Sequence, residues 1–140
     1  MNVADDCVFC KIVAGEIPCT KVFENEDCFS FLDIAPLAEG HTLLIPKKHY
    51  DQLPDVPDET MVGLASQLPR IGRAILRATG AEGFNVLQNN GRIAGQVVPH
   101  VHFHLIPRRA EDGLGYRWQA GSYPAGRADE IAHLIVESLE

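Results

Sequence analysis

Residues 97–109 read V97-V98-P99-H100-V101-H102-F103-H104-L105-I106-P107-R108-R109. Three of the six histidines in the chain stand here at alternate positions, separated by Val101 and Phe103. The apolar residues between them predict a β-strand, where every second side chain points the same way. His100, His102 and His104 would then share one face at intervals of about 6.5–7 Å, with Val101 and Phe103 on the other. A solvated strand face normally mixes Thr, Lys and Glu, so three imidazoles point to a metal site or a catalytic array.

The surrounding sequence sets the frame for that strand. The chain has 140 residues, enough for one domain with a real core. Hydrophobic residues make up 46% and charged residues 22%, ordinary for a globular protein. The net charge of −7, from 19 acidic and 12 basic residues, argues against a long nucleic acid or an anionic membrane as partner. No apolar run approaches the ~20 residues of a membrane span. The segment MNVADDCVFC lacks the basic and apolar regions of a secretory signal, so the cytoplasm is the expected location. In that reducing setting the C-x-x-C pair Cys7 and Cys10 reads as metal or redox chemistry. Cys19 and Cys28 read as small buried hydrophobes.

Local patterns predict an α+β domain. The stretch CVFCKIVAGEIP predicts a short helix ended by Gly15. KVFENEDCFSFLDI predicts two strands about a turn at residues 25–27, GHTLLIPKKH a third, and GFNVLQ a fourth. From about residue 58 to 79, Leu64, Leu68, Ile71 and Ile75 form one apolar stripe of a long helix, which Pro69 should kink or split and Gly80 ends. NNGRIAGQ is a glycine-bearing loop before the histidine strand, and ADEIAHLIVESLE reads as a terminal helix. The expected architecture is an antiparallel sheet of about five strands with one long and one short helix.

Six features now stand together: the C-x-x-C pair, FLDIAP, GHTLLIPKKH, NNGRIAGQ, the histidine strand and the Arg108-Arg109 pair after it. This combination resembles the histidine-triad family of nucleotide hydrolases and transferases. The resemblance runs from about residue 7 to 109, leaving 110–140 as a variable C-terminal segment of a single domain. It implies a small α+β fold that forms homodimers, each subunit holding a nucleotide in a cleft of the sheet.

The chemistry agrees with the residues. A neutral imidazole is a competent nucleophile near pH 7, since its reference pKa is about 6.5. Attack on phosphorus gives a phosphoramidate intermediate and divides one difficult displacement into two. By position, His102 resembles the family nucleophile and His104 the phosphate contact. His41 resembles a supporting histidine, Gln96 the side chain on the phosphate and bridging oxygen, and Asn89 a further phosphate or ribose contact. Asp33 matches the ribose-binding carboxylate, and Phe9, Ile12, Ile17, Phe31 and Leu43 match the lining of a purine slot.

Two thiolates and two imidazoles make a closed structural site for tetrahedral zinc. Members carrying the C-x-x-C pair resemble galactose-1-phosphate uridylyltransferase, and the resemblance implies His49 and His100 as the partners of Cys7 and Cys10. One triad histidine would then bind metal, one attack and one hold phosphate.

One departure stands in the phosphate region. Where the Hint branch has a hydroxyl residue after Gly-Gln, this chain has Val97, which cannot donate a hydrogen bond. The segment RRAEDGLGYRWQAGSYP also differs from the Hint ending, and its Arg117 and Trp118 read either as contacts to a second nucleotide or as surface residues. The implied activity is cleavage at the α-phosphate of a purine nucleotide. Dinucleoside polyphosphates, adenosine phosphoramidates, phosphosulfates and aminoacyl adenylates are the candidate substrates. A nucleotide-binding regulatory module with incidental turnover needs the same pocket. A zinc-only interaction domain would need no Asp33, Gln96 or His102.

Overall fold

The computed structural model describes residues 6–115 and 118–140. Helix α1 (Val8–Val13) leads into a hairpin of β1 (Lys21–Glu24) and β2 (Cys28–Leu32), followed by β3 (Thr42–Pro46). Two helices come next, α2 (Asp58–Ala65) and α3 (Leu68–Thr79), then β4 (Gly83–Gln88), β5 (Phe103–Arg108) and a terminal α4 (Arg127–Glu137). The five strands form one antiparallel sheet in the order β1-β2-β3-β5-β4.

The sheet is covered on both faces, and the alternation along each strand assigns the layers. Phe29, Phe31, Leu43 and Ile45 face α1, where they pack with Phe9, Ile12 and the two helix cysteines. Cys28, Leu44 and Leu105 face the other way, against Leu64, Ile71 and Ile75 of α2 and α3. Leu43 of β3 pairs with His104 of β5, which puts the His104 imidazole on the α1 face.

The long amphipathic segment is split at Pro69, as its ring demands. A proline has no N–H to give to the preceding turn, but it is tolerated in the first turn of a new helix, where it stands in α3. Gly80 closes α3 in the left-handed conformation (φ 69°). Gly72 lets α3 lie close on the sheet: a Cβ there would sit 2.5 Å from the Phe84 ring. Leu64, Ile71 and Ile75 of the stripe are buried against the chain's own sheet, with Leu68 partly buried beside them.

Two sequence expectations are corrected. The histidine strand is shorter than its alternation suggests, because β5 begins only at Phe103. Upstream, the backbone turns to other partners: the His100 N–H goes to the Val98 carbonyl and the Val101 N–H to the Tyr50 carbonyl. Cys28 is fully buried, but Cys19 is exposed, because it follows Pro18 in the loop between α1 and β1 rather than pointing into either core layer. No helix among the described residues is long and apolar enough to cross a membrane.

Candidate active site and metal centre

On the α1 face a cleft of about 850 Å³ opens between α1, the end of β2 and the loop before β5. Phe9, Ile12, Ile17, Phe31 and Leu43 form its apolar wall, with Asp33, His102 and His104 at the polar end. Phe9 stands edge-on to both Phe31 and His102 and so joins the two parts. Cys19, Ile34 and Val97 complete the rim.

The histidines have defined tautomers, fixed by their partners. The Nδ1 of His102 lies 2.7 Å from the His100 carbonyl oxygen. A carbonyl only accepts, so this nitrogen carries the proton and Nε2 keeps its lone pair. His41 is arranged in the opposite sense. Its Nδ1 accepts the Leu37 N–H at 3.0 Å, so the proton is on Nε2, which donates to His104 Nδ1 at 2.9 Å. His104 then carries its own proton on Nε2. The His102 and His104 rings lie 4.9 Å apart, so one polar end holds an imidazole lone pair and an imidazole N–H side by side.

Burial keeps these rings uncharged. Desolvation is the main cause that lowers the pKa of His102 and His41, and it takes His104 to about 4, helped by its neighbours His102 and His41. Asp33 is half-buried with one oxygen 3.5 Å from His41 Nε2, while its other oxygen accepts the Ala35 N–H. Asp33, His41 and His104 stand close enough to suggest a second cation site, but the proton chain through His41 already occupies the facing nitrogens.

Gln96 stands at the end of the glycine loop. Its side chain is buried, and both ends of the amide are held by backbone: Oε1 accepts from Gly91 and Nε2 donates to the carbonyls of Asp51 and Val98. It fastens the glycine loop instead of lining the cleft. Asn89 lies beside Gly95 (φ 97°): a Cβ added at that glycine would stand 3.4 Å from the Asn89 amide nitrogen. Arg108 and Arg109 also turn from the cleft. Arg108 ties Asn85, Asp112 and the Leu114 carbonyl together, and Arg109 reaches the Thr79 carbonyl. Trp118 is exposed, and Arg117 lies outside the described residues.

Beyond His102, the four donors Cys7, Cys10, His49 and His100 form a group able to hold a metal ion. Cys7 Sγ is 3.4 Å from His100 Nδ1, Cys10 Sγ is 3.4 Å from His49 Nδ1, and the two Nδ1 atoms are 3.2 Å apart. The outer nitrogens explain why Nδ1 faces inward. His100 Nε2 gives its proton to the Pro46 carbonyl at 2.8 Å, and His49 Nε2 gives its own to the Asp51 carboxylate at 2.6 Å. Two imidazole lone pairs and two sulfurs therefore converge on one point, an arrangement that a cation satisfies. Asp51 escaped the sequence reading, although its place two residues after a candidate ligand is a usable signal.

The HIT domain family profile matches residues 14–111. Adenosine 5'-monophosphoramidase HNT1 of Saccharomyces cerevisiae is 50% identical over 96% of this chain and 83% of its own length. Adenylylsulfatase HINT3 of Arabidopsis thaliana is 49% identical over 81% of this chain, which spans only 57% of that protein. A crystal structure of a HIT family protein from Bacillus anthracis superposes with a TM-score of 0.93 at 42% identity, covering 99% of this chain and 100% of that one. A Zn-bound histidine triad family protein from Mycobacterium smegmatis superposes with a TM-score of 0.75 at 40% identity, covering 96% and 98% of the two chains. Hydrolases are thus named among its relatives, and the family profile, the sequence identity and the fold agree: the chain belongs to the HIT domain family.

Proposed function

We propose that the protein is a nucleotidyl hydrolase that cleaves at the α-phosphate of adenosine or related purine nucleotides through a nucleotidyl-histidine intermediate. The observation that carries this reading is the pairing of an unprotonated His102 Nε2 with a protonated His104 Nε2 at the polar end of an apolar cleft. The purine lies between Phe9, Ile12, Ile17, Phe31 and Leu43, and the ribose hydroxyls donate to Asp33. His102 attacks the α-phosphorus in line and expels the remainder of the substrate. His104 donates to a phosphoryl oxygen as charge builds on it. Water then attacks the phosphorus of the intermediate, returns the electron pair of the P–N bond to His102 and releases the mononucleotide. His41 and the His100 carbonyl hold the two reacting rings in these tautomers. Asn89, beside Gly95 of the glycine loop, supplies a further phosphate or ribose contact.

The metal is zinc, in a structural role. A tetrahedral ion with Zn–S near 2.3 Å and Zn–N near 2.0–2.1 Å places its ligand atoms about 3.3–3.7 Å apart. The sulfur–nitrogen and nitrogen–nitrogen separations here run from 3.2 to 3.6 Å. When bound, zinc ties α1 to the segment carrying His100, and so fixes the carbonyl that orients His102. Metal analysis of protein purified without chelator should give about one zinc per chain.

The working form is a homodimer in the cytoplasm, where thiols stay reduced. In its support, β4 lies at a sheet edge with Val86 exposed, and Leu134, Ile135 and Val136 of α4 are more than half exposed. Sedimentation equilibrium at micromolar concentration tests it; a single species of 15.4 kDa would count against it.

The decisive experiment is turnover of an adenylate panel (phosphoramidate, phosphosulfate, dinucleoside polyphosphate and aminoacyl adenylate) by wild type and His102→Ala. Wild-type turnover lost in the variant supports the reading. Tight nucleotide binding without turnover of any member would make the protein a nucleotide sensor.

A further inference from the structure

The four donors of the metal group are not equally enclosed. Cys7, Cys10 and His100 are at most 6% exposed, whereas the His49 side chain is 13% exposed and stands on the loop after β3. The two histidines are also held differently. His100 gives its outer proton to the Pro46 carbonyl inside the protein, a neutral partner on a core strand. His49 gives its outer proton at 2.6 Å to the carboxylate of Asp51, whose side chain is 66% exposed. The backbone of Asp51 is itself anchored, because its carbonyl accepts from the buried Gln96 at 2.6 Å. The carboxylate is therefore presented to His49 from a fixed point.

We infer that Asp51 is the outer carboxylate of the metal centre: a positioning residue that holds His49 with Nδ1 toward the cluster, and makes His49 the ligand through which the ion enters and leaves. This rests on the metal reading above. A carboxylate on the outer nitrogen of a ligating imidazole fixes its tautomer and raises its basicity, and losing such a partner typically costs about 10–100-fold in metal affinity. A carbonyl fixes the tautomer without adding charge, so the more exposed His49 alone is held by a charged partner that a side-chain substitution can remove. The substitution is also clean: changing the Asp51 side chain leaves the carbonyl bond to Gln96 in place.

The test is a zinc titration against a chromophoric chelator, with the release rate followed in excess chelator. Wild type is compared with Asp51→Ala, Asp51→Asn and Asp51→Glu, with circular dichroism confirming the fold of each. Asp51→Ala should bind zinc about 10–100-fold more weakly and release it correspondingly faster. Asp51→Asn, which keeps an accepting oxygen but no charge, should fall between, and Asp51→Glu should recover much of the affinity. Cobalt(II) spectra should keep tetrahedral thiolate–imidazole features in all four, since the ligands themselves are unchanged. Affinities and release rates of Asp51→Ala and Asp51→Asn within twofold of wild type would overturn the inference and leave His49–Asp51 as a surface ion pair. A wild-type chain that takes up no zinc would overturn the metal reading itself, an outcome separate from equal binding by all variants.

Discussion

His102 gives its Nδ1 proton to the carbonyl oxygen of His100 at 2.7 Å, so a member of the metal group sets the tautomer of the imidazole in the cleft. The consequence is an unprotonated Nε2 facing the polar end of the pocket. His102→Ala should therefore remove turnover by several orders of magnitude while nucleotide affinity stays near wild type, because Asp33 and the apolar wall are untouched. His102→Gly with added imidazole should recover part of the rate. Rapid quench and mass spectrometry should find an acid-labile nucleotidyl adduct on the peptide carrying His102. An adduct on any other residue would rule the mechanism out.

Stability should depend on acid through His41 and His104. His104 is held at about 4 and His41 below its usual value, mainly by burial, whereas both return to about 6.5 when unfolded. Between those values the unfolded chain binds more protons than the folded one. The stabilising contribution is thus fully present above pH ~6.5 and is lost as the pH falls toward about 4. Urea midpoints at several pH values should show this decline, and His104→Asn should flatten it. An unchanged slope in that variant would exclude His104 as a source.

Val97 is 80% exposed at the rim of the cleft that His102 and His104 also line. Val97→Ser should leave stability within about 0.5 kcal/mol of wild type. One added hydrogen bond in the transition state, worth about 1 kcal/mol, should raise phosphoramidate turnover about fivefold. Steady-state kinetics on an adenosine phosphoramidate measures it, and no gain would show that Val97 lies away from the reacting group.

Gln96 links Gly91, Asp51 and Val98 through one buried amide. Gln96→Ala leaves those backbone groups without their partner and should cost about 2–4 kcal/mol. Thermal melts should show the loss, together with weaker nucleotide binding as the loop loosens. If Gln96→Ala melts like wild type and loses only phosphate affinity, its amide reaches the ligand after all.

Gly72→Ala tests the packing of α3 on β4. The added methyl would stand 2.5 Å from the Phe84 ring, so the helix must shift, at about 1–3 kcal/mol. Chemical denaturation should record that loss, and Phe84→Leu in the same chain should return part of it. Additive losses would mean the two residues do not meet.

Much of the fold was legible because it depends on local pattern. Period-two alternation marked the strands. Gly80 and Pro69 marked where the helical segments end and begin, since those residues constrain the backbone wherever they stand. The residues of the apolar cleft wall and the Cys7, Cys10, His49 and His100 set were readable as groups only through resemblance to a family. Nothing in spacing alone brings a helix N-terminus to a loop after β3 and a segment before β5.

Other features waited for the tertiary structure. The start of β5 was misplaced because alternation continues through residues 100–102 while their backbone groups are claimed by Val98 and Tyr50. Cys19 looked like a core residue by type, but its place after Pro18 left it on the cleft rim. Gln96 matched a motif, and only the packed loop reveals which backbone groups its amide joins. The sequence by itself determined which imidazoles are available and that His104 is carried by a strand. Which nitrogen of each ring holds its proton was decided by the tertiary structure, because that depends on single partners whose placement only the folded chain fixes: the Pro46 carbonyl, far off in sequence, for His100, the Leu37 N–H of a neighbouring turn for His41 and, through His41, the distant ring of His104.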